Sequence, residues 1–193
     1  MREASITRET TETKIHLHLT LEGEGLGKIQ TGVGFFDHML TLFTAHSGID
    51  LTLRVQGDLE VDAHHTVEDV GICLGEAFKK ALGNKGGIQR YGFFLLPMDE
   101  ALVQIALDFS GRSYLHYGLQ GLKEKVGDFD TELIEEFYQG FVRGGGLTLH
   151  VDQIRGRNTH HIIEASFKGL GRAVKEALTL RGTKIPSTKG TLL

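Results

Sequence analysis

The sequence predicts an internally duplicated α+β fold with antiparallel sheet. His64–Leu82, HHTVEDVGICLGEAFKKAL, aligns without gaps on His160–Leu178, HHIIEASFKGLGRAVKEAL. Nine of nineteen positions are identical, both histidines and the glutamate among them, so duplication explains the match better than coincidence. Apolar residues alternate with a period of two ahead of each copy and recur with a helical period within it. Strand, helix, strand and helix follow one another in the same order twice, the pattern of an α+β domain.

In the first half, Ile15, Leu17, Leu19 and Leu21 alternate as a strand and Phe35 to Phe43 has a helical pattern. Ile49, Leu51, Leu53 and Val55 alternate again, before a helix with Val67, Val70, Leu74, Ala77 and Ala81 on one face. In the second half, Val103, Ile105, Leu107 and Phe109 form a strand and Leu133 to Phe141 a helix. Leu147, Leu149 and Val151 form the next strand, and a helix over His160 to Leu180 closes the half. The glycine cluster ALGNKGG, after a helix end, marks the junction, giving halves of 1–85 and 86–193 within one compact domain. PSTKGTLL has no periodicity and reads as an extended tail. Carrying the alignment back through the middle helices with a two-residue shift pairs Asp37-His38 with Glu135-Glu136.

Composition narrows the function. The 193 residues are 40% hydrophobic and 24% charged, ordinary for a soluble protein with a real core. A net charge of −4 with dispersed Lys and Arg gives nucleic acid no basic stripe to bind. Neither an apolar run of about 18 residues nor a secretory stretch at the N-terminus is seen, so no membrane partner and a cytoplasmic location are expected. The single cysteine, Cys73, lies among Val70, Ile72 and Leu74 and reads as a buried apolar residue. Ten histidines remain, four of them in two adjacent pairs.

In HHxxE at the start of a helix, the glutamate lies three and four residues beyond the histidines and close to both. Adjacent histidines point about 100° apart, so one pair can serve two different ions. Repetition of the motif, with Asp62 and Asp69 flanking one copy and Asn158 the other, points to a double metal site. Imidazole and carboxylate ligands without thiolates suit manganese, iron or zinc with open positions for substrate. His38 joins this set because the duplication places it opposite Glu136. His16 and His18 face away from Ile15, Leu17 and Leu19 and read as solvated; His46, His116 and His150 read as structural or exposed. Arg90, Arg112, Lys168, Ser187 and Lys189 offer a phosphate clamp, with hydroxyl, ammonium and backbone donors converging in PSTKG.

RETTETKI, TGVGFFDHML, DAHHTVED, PMDEAL, SGR, NTHHIIEA and PSTKG occur in an order that resembles the imidazoleglycerol-phosphate dehydratases over nearly the whole chain. The resemblance implies a duplicated fold similar to ribosomal protein S5 domain 2. It also implies a cage of about two dozen identical subunits, with metal ligands shared between neighbours. By motif position the implied ligands of two manganese ions per subunit are His38, His64, His65, Glu68, Glu136, His160, His161 and Glu164. Glu136 stands where many relatives carry histidine. Glu12, Arg90, Arg112, Lys168, Ser187 and Lys189 match substrate-contacting positions, and Glu12, Glu68 and Glu164 are the candidate catalytic carboxylates.

The implied reaction is loss of water from imidazoleglycerol phosphate, giving imidazole-acetol phosphate in histidine biosynthesis. No carbonyl activates the carbon that loses its proton, so the ring must supply the electrons. Ions on both ring nitrogens would favour an imidazolate able to expel the hydroxyl through a diazafulvene-like intermediate. Glu164 and Glu12 are the candidates for proton transfer. Two rivals keep the metals: a dinuclear phosphoesterase, which would release phosphate, and a metal-dependent shell without catalysis.

Overall fold

The computed structural model describes residues 2–192. The first sheet contains β1 (Glu3–Glu9), β2 (Thr13–Thr20), β3 (Gly27–Gln30) and β4 (Asp50–Gly57), in the order β1-β2-β4-β3. Helices α1 (Gly34–Ser47) and α2 (His64–Leu82) complete the first half. The second sheet contains β5 (Tyr91–Met98), β6 (Ala101–Asp108), β7 (Tyr114–Gly118) and β10 (Thr148–Arg155), in the order β5-β6-β10-β7. A hairpin of β8 (Lys125–Val126) and β9 (Phe129–Asp130) precedes α3 (Leu133–Gly145), and α4 (Thr159–Leu178) closes the half. Three strands of each sheet run antiparallel as expected, while β3 joins β4 and β7 joins β10 in parallel.

The alternating positions behave as their period requires. Ile15, Leu17 and Leu19 are buried with Leu51 and Leu53, whereas His16 and His18 lie outside and bond Thr7 and Ser5. Val103, Ile105, Leu107, Leu149 and Val151 fill the same inner positions of the second sheet. Cys73 is buried in α2, and burial pushes its thiol up to about 12. Gly48 and Gly146 cap α1 and α3 with positive φ of 74° and 58°, a conformation that spares glycine a Cβ clash.

The helices lie between the sheets and pair across the halves: α1 packs on α4, and α2 on α3. Both pairs run parallel. In α2 and α3 the approach is backbone to backbone. A Cβ on Gly71 would stand 2.5 Å from the Phe137 carbonyl oxygen and one on Gly140 2.6 Å from that of Glu68; Gly75 and Gly144 face Phe141 and Ile72 as closely. Gly171 of α4 meets the Phe43 carbonyl oxygen of α1 at 2.7 Å by the same measure. Phe36, Phe137, Tyr138, Phe141 and Phe167 fill the space around these contacts, and the Tyr138 hydroxyl donates to Ser166 Oγ.

Gly140→Ala should therefore destabilise the fold by roughly 1–3 kcal/mol, although alanine favours helix by about 1 kcal/mol. Gly34→Ala in α1, where an added Cβ meets nothing within 4 Å, should not. Thermal unfolding of both variants decides this, and equal melting temperatures would contradict the close approach.

Candidate active site

Both HHxxE motifs open helices. The His64 amide donates to Asp62 Oδ1 (2.7 Å) at the start of α2, and the His161 amide donates to Asn158 Oδ1 (3.2 Å) at the start of α4. Asp62, Ala63 and His160 line one cavity of about 710 Å³, so the two motifs open toward the same end of the molecule. Adjacent histidines diverge as helical geometry requires. The rings of His64 and His65 lie 6.0 Å apart at 83°, and those of His160 and His161 lie 6.4 Å apart at 78°.

The pairing of α1 with α4 builds the densest cluster. His160 Nε2 lies 3.0 Å from Glu164 Oε2 and His38 Nε2 lies 3.7 Å from the same oxygen, although His38 belongs to the other half. Ligand atoms of these three side chains fall within 4.8 Å of one another, a spacing a metal ion could bridge. Lys168, one turn on, reaches Glu164 Oε1 at 2.5 Å. Burial pushes the Glu164 carboxyl up, but the Lys168 ammonium and the bond to His160 outweigh it and hold the group below its ordinary range.

The equivalent place in the first half is looser. His64 Nε2 stands 3.8 Å from Glu68 Oε2, and Arg143 of α3 takes Glu68 Oε1 at 2.6 Å. Glu136 lies on α3 one turn before Gly140, the residue that faces the Glu68 carbonyl, and is half-buried. The second histidines look elsewhere. His65 Nδ1 meets Asp58 Oδ2 at 2.9 Å and its Nε2 faces Glu12 Oε1 at 3.6 Å. His161 Nδ1 meets Glu100 Oε2 at 2.8 Å and its Nε2 faces Asp99 Oδ2 at 3.8 Å. These carboxylates raise both imidazoles, Asp58 and Glu100 foremost, and Glu100 is itself lowered to about 2, first by His161 and then by the Asn158 amide. Asp69, flanking the first motif, is turned inward to Arg8 and Thr13 and ties α2 to its sheet.

The clamp residues lie elsewhere. Arg90, Ser110, Arg112, Ser187, Thr188 and Lys189 line a separate cavity of about 710 Å³. Arg90 anchors it: Nε and Nη2 donate to Asp108 (2.7 and 3.0 Å), and Nη1 donates to the Pro186 carbonyl (2.9 Å). Lys168 is not among them, being held at Glu164. The Arg90 amide donates to the Ala177 carbonyl at the far end of α4 from His161, about 24 Å away at 1.5 Å per residue.

A family model described as imidazoleglycerol-phosphate dehydratase matches residues 31–174. The chain is 58% identical to the imidazoleglycerol-phosphate dehydratase of Oceanobacillus iheyensis and 57% identical to that of Caldanaerobacter subterraneus, over the full length of each. The chain belongs to the imidazoleglycerol-phosphate dehydratase family. The Staphylococcus aureus dehydratase structure superposes with a TM-score of 0.84 at 44% identity, covering 92% of this chain and 99% of that one. The Pyrococcus furiosus dehydratase, solved in complex with (S)-C348, gives 0.85 at 37% identity, covering 97% and 100%.

Sequence reasoning within this dehydratase family missed Asp58, Glu100 and Arg143, which contact the motif side chains. Asp58 carries a readable signal, a carboxylate just after a strand and seven residues before His65. Glu100 carries one only in the duplication, because it precedes β6 as Glu12 precedes β2. Arg143 is legible only once α3 is known to pack on α2.

If Arg90 fastens the tail from Asp108, Asp108→Ala should speed tryptic cleavage after Lys184 and Lys189 by on the order of tenfold, the value of one charge-assisted hydrogen bond. Digestion of the native protein followed by mass spectrometry reads this out. Unchanged cleavage would show that the tail is held without Arg90.

Proposed function

We propose that this chain removes water from imidazoleglycerol phosphate, its family's step in histidine biosynthesis, at a metal-dependent site completed by a second copy of the chain. The chain is a hydro-lyase by family, and neither a phosphoesterase nor a silent shell has support there. The observation that carries the shared site is the length of α4. Motif and clamp stand at opposite ends of that helix, about 24 Å apart, and no substrate of this size spans the gap. A neighbour's clamp must therefore face this chain's histidines, which also accords with the ligand cluster being only three-sided. We extend this to the cage of about two dozen subunits implied by the resemblance. No helix of the described residues is long and apolar enough to cross a membrane. On the strength of the family's biosynthetic step we assign the enzyme to the cytoplasm.

The donor set fits a hard or borderline divalent ion. Imidazoles and carboxylates cluster, and the one thiol is buried elsewhere. We assign His38, His160 and Glu164 to one ion of two manganese ions per chain, and His64, His65, Glu68, Glu136 and His161 to positions completed across the interface. Such ions, when bound, supply Lewis acidity that favours the imidazolate form of the substrate ring. Glu68 and Glu164 have both oxygens engaged and act as holding groups. Glu12 is half exposed, with His65 Nε2 3.6 Å away, and is free to take the proton from carbon. Ring electrons expel the neighbouring hydroxyl, which leaves as water on receiving a proton; as Glu12 takes the carbon proton the C–H electrons form the enol double bond and restore the ring, and the enol becomes the ketone. Arg112, Ser187 and Lys189 hold the phosphate, so binding energy remote from the reacting bonds aligns them.

Manganese-loaded protein should convert imidazoleglycerol phosphate to the ketone with its phosphate retained, and chelation should abolish turnover. Assay of ketone and free phosphate together tests this, and release of phosphate would overturn it. Co-expression tests the sharing: Lys189→Ala and His160→Ala are each expected to be nearly inactive alone. Mixed assemblies should regain up to about a quarter of wild-type activity, the fraction of shared sites drawing an intact clamp and an intact motif from different chains. Absence of recovery in verified mixed particles would place motif and clamp in the same chain.

A further inference from the structure

The second histidine of each motif is bonded through the same ring atom to a carboxylate from outside its helix. His65 Nδ1 and His161 Nδ1 lie 2.9 and 2.8 Å from Asp58 and Glu100, whereas the first histidines turn Nε2 to the glutamate of their own helix, His160 at 3.0 Å from Glu164 and His64 more loosely at 3.8 Å from Glu68. The two outer carboxylates are not copies of one another. Asp58 follows β4, and the residue after the matching β10 is Gly156; Glu100 precedes β6, and its counterpart before β2 is Glu12. Duplication therefore accounts for the histidines but not for this shared contact, which each half reaches from a different loop. A further carboxylate faces each Nε2 without bonding it, Glu12 at 3.6 Å and Asp99 at 3.8 Å. Each second imidazole is thus fastened on one side and open on the other.

We propose that Asp58 and Glu100 are positioning residues that keep the proton of His65 and His161 on Nδ1 and turn the Nε2 lone pair outward to a divalent ion. A carboxylate accepting the Nδ1–H selects the tautomer, fixes the ring plane and makes Nε2 a stronger donor. This rests on the metal-dependent reading above, and it separates two tasks within HHxxE: the first histidine is aligned by its own helix, the second by the neighbouring sheet. Asp58 is the cleaner case. Glu100 also accepts the Arg157 and Asn158 amides (3.2 and 2.7 Å) and so shapes the entry to α4, whereas Asp58 Oδ1 is buried without a partner among the described residues.

The test is manganese affinity of the assembled protein, measured by competition with a chelator and by metal counting. Asp58→Ala should weaken one class of ion by 10- to 100-fold while the other class keeps wild-type affinity. Asp58→Asn, which retains an acceptor without the charge, should fall between, and Glu100→Gln should weaken the other class. Metal-free melting temperature serves as the structural control and should be unchanged in Asp58→Ala. Wild-type affinity in Asp58→Ala, or a lower metal-free melting temperature with unaltered affinity, would overturn the positioning role and leave the metal site standing. Failure of the wild-type protein to bind manganese would overturn the reading beneath it.

Discussion

The site depends on how closely helices from different halves approach one another. An α-helix normally keeps a neighbour 8–10 Å away, and only small residues at the contact permit less. Gly71 and Gly75 meet Gly140 and Gly144 where any Cβ would collide with opposing backbone, so α2 and α3 are locked in one relative register. Gly171 does the same for α4 against α1. Both pairs run parallel, which aligns the first turn of each motif helix with an early turn of a helix from the other half. His38 reaches Glu164, and Arg143 reaches Glu68, because of that register.

The same register accounts for the difference between the halves. Each motif glutamate is met by a cation, since a carboxylate withdrawn from water is costly to leave uncompensated. Glu164 finds Lys168 on its own helix, but the matching position in α2 is Ile72, packed against Gly144. The cation comes instead from Arg143 across the interface, and a long guanidinium is suited to that reach. Two sites of common descent thus keep one electrostatic rule with different residues.

Legibility in the sequence followed confinement. The central strands β2, β4, β6 and β10 are buried on one face, and that face imposes the period of two that the sequence displays. The edge strands were not legible. β3 has four residues, and β1 and β5 mix exposed apolar and polar side chains; Phe93 and Leu95 of β5 face outward although nothing in their chemistry announces it. The motif histidines were legible because residue type, spacing and repetition coincide within nineteen positions. Asp58, Glu100 and Arg143 were hidden because their partners are set by tertiary packing; only a fold can bring Glu100 to His161 across 61 residues.

In the shared-site reading proposed above, the tail ties the chemistry to assembly. Lys85 and Arg90, in the junction between halves, take unusual positive φ of 60° and 77° and fasten the tail by its carbonyls, Lys85 at Leu192 and Arg90 at Pro186. Between these points Ser187 and Lys189 are presented to the cavity beside Arg112. On that reading, such fastening stabilises a phosphate clamp that serves a neighbouring copy, since this chain's own histidines lie an α4 length away. A neighbour docking its motif against this clamp would gain a substrate site, and the substrate would in turn bridge ring ligands on one copy and phosphate donors on the other. Substrate and subunit contacts would then favour the same arrangement, because each bound molecule would add a link between chains whose strength is set by both of its ends.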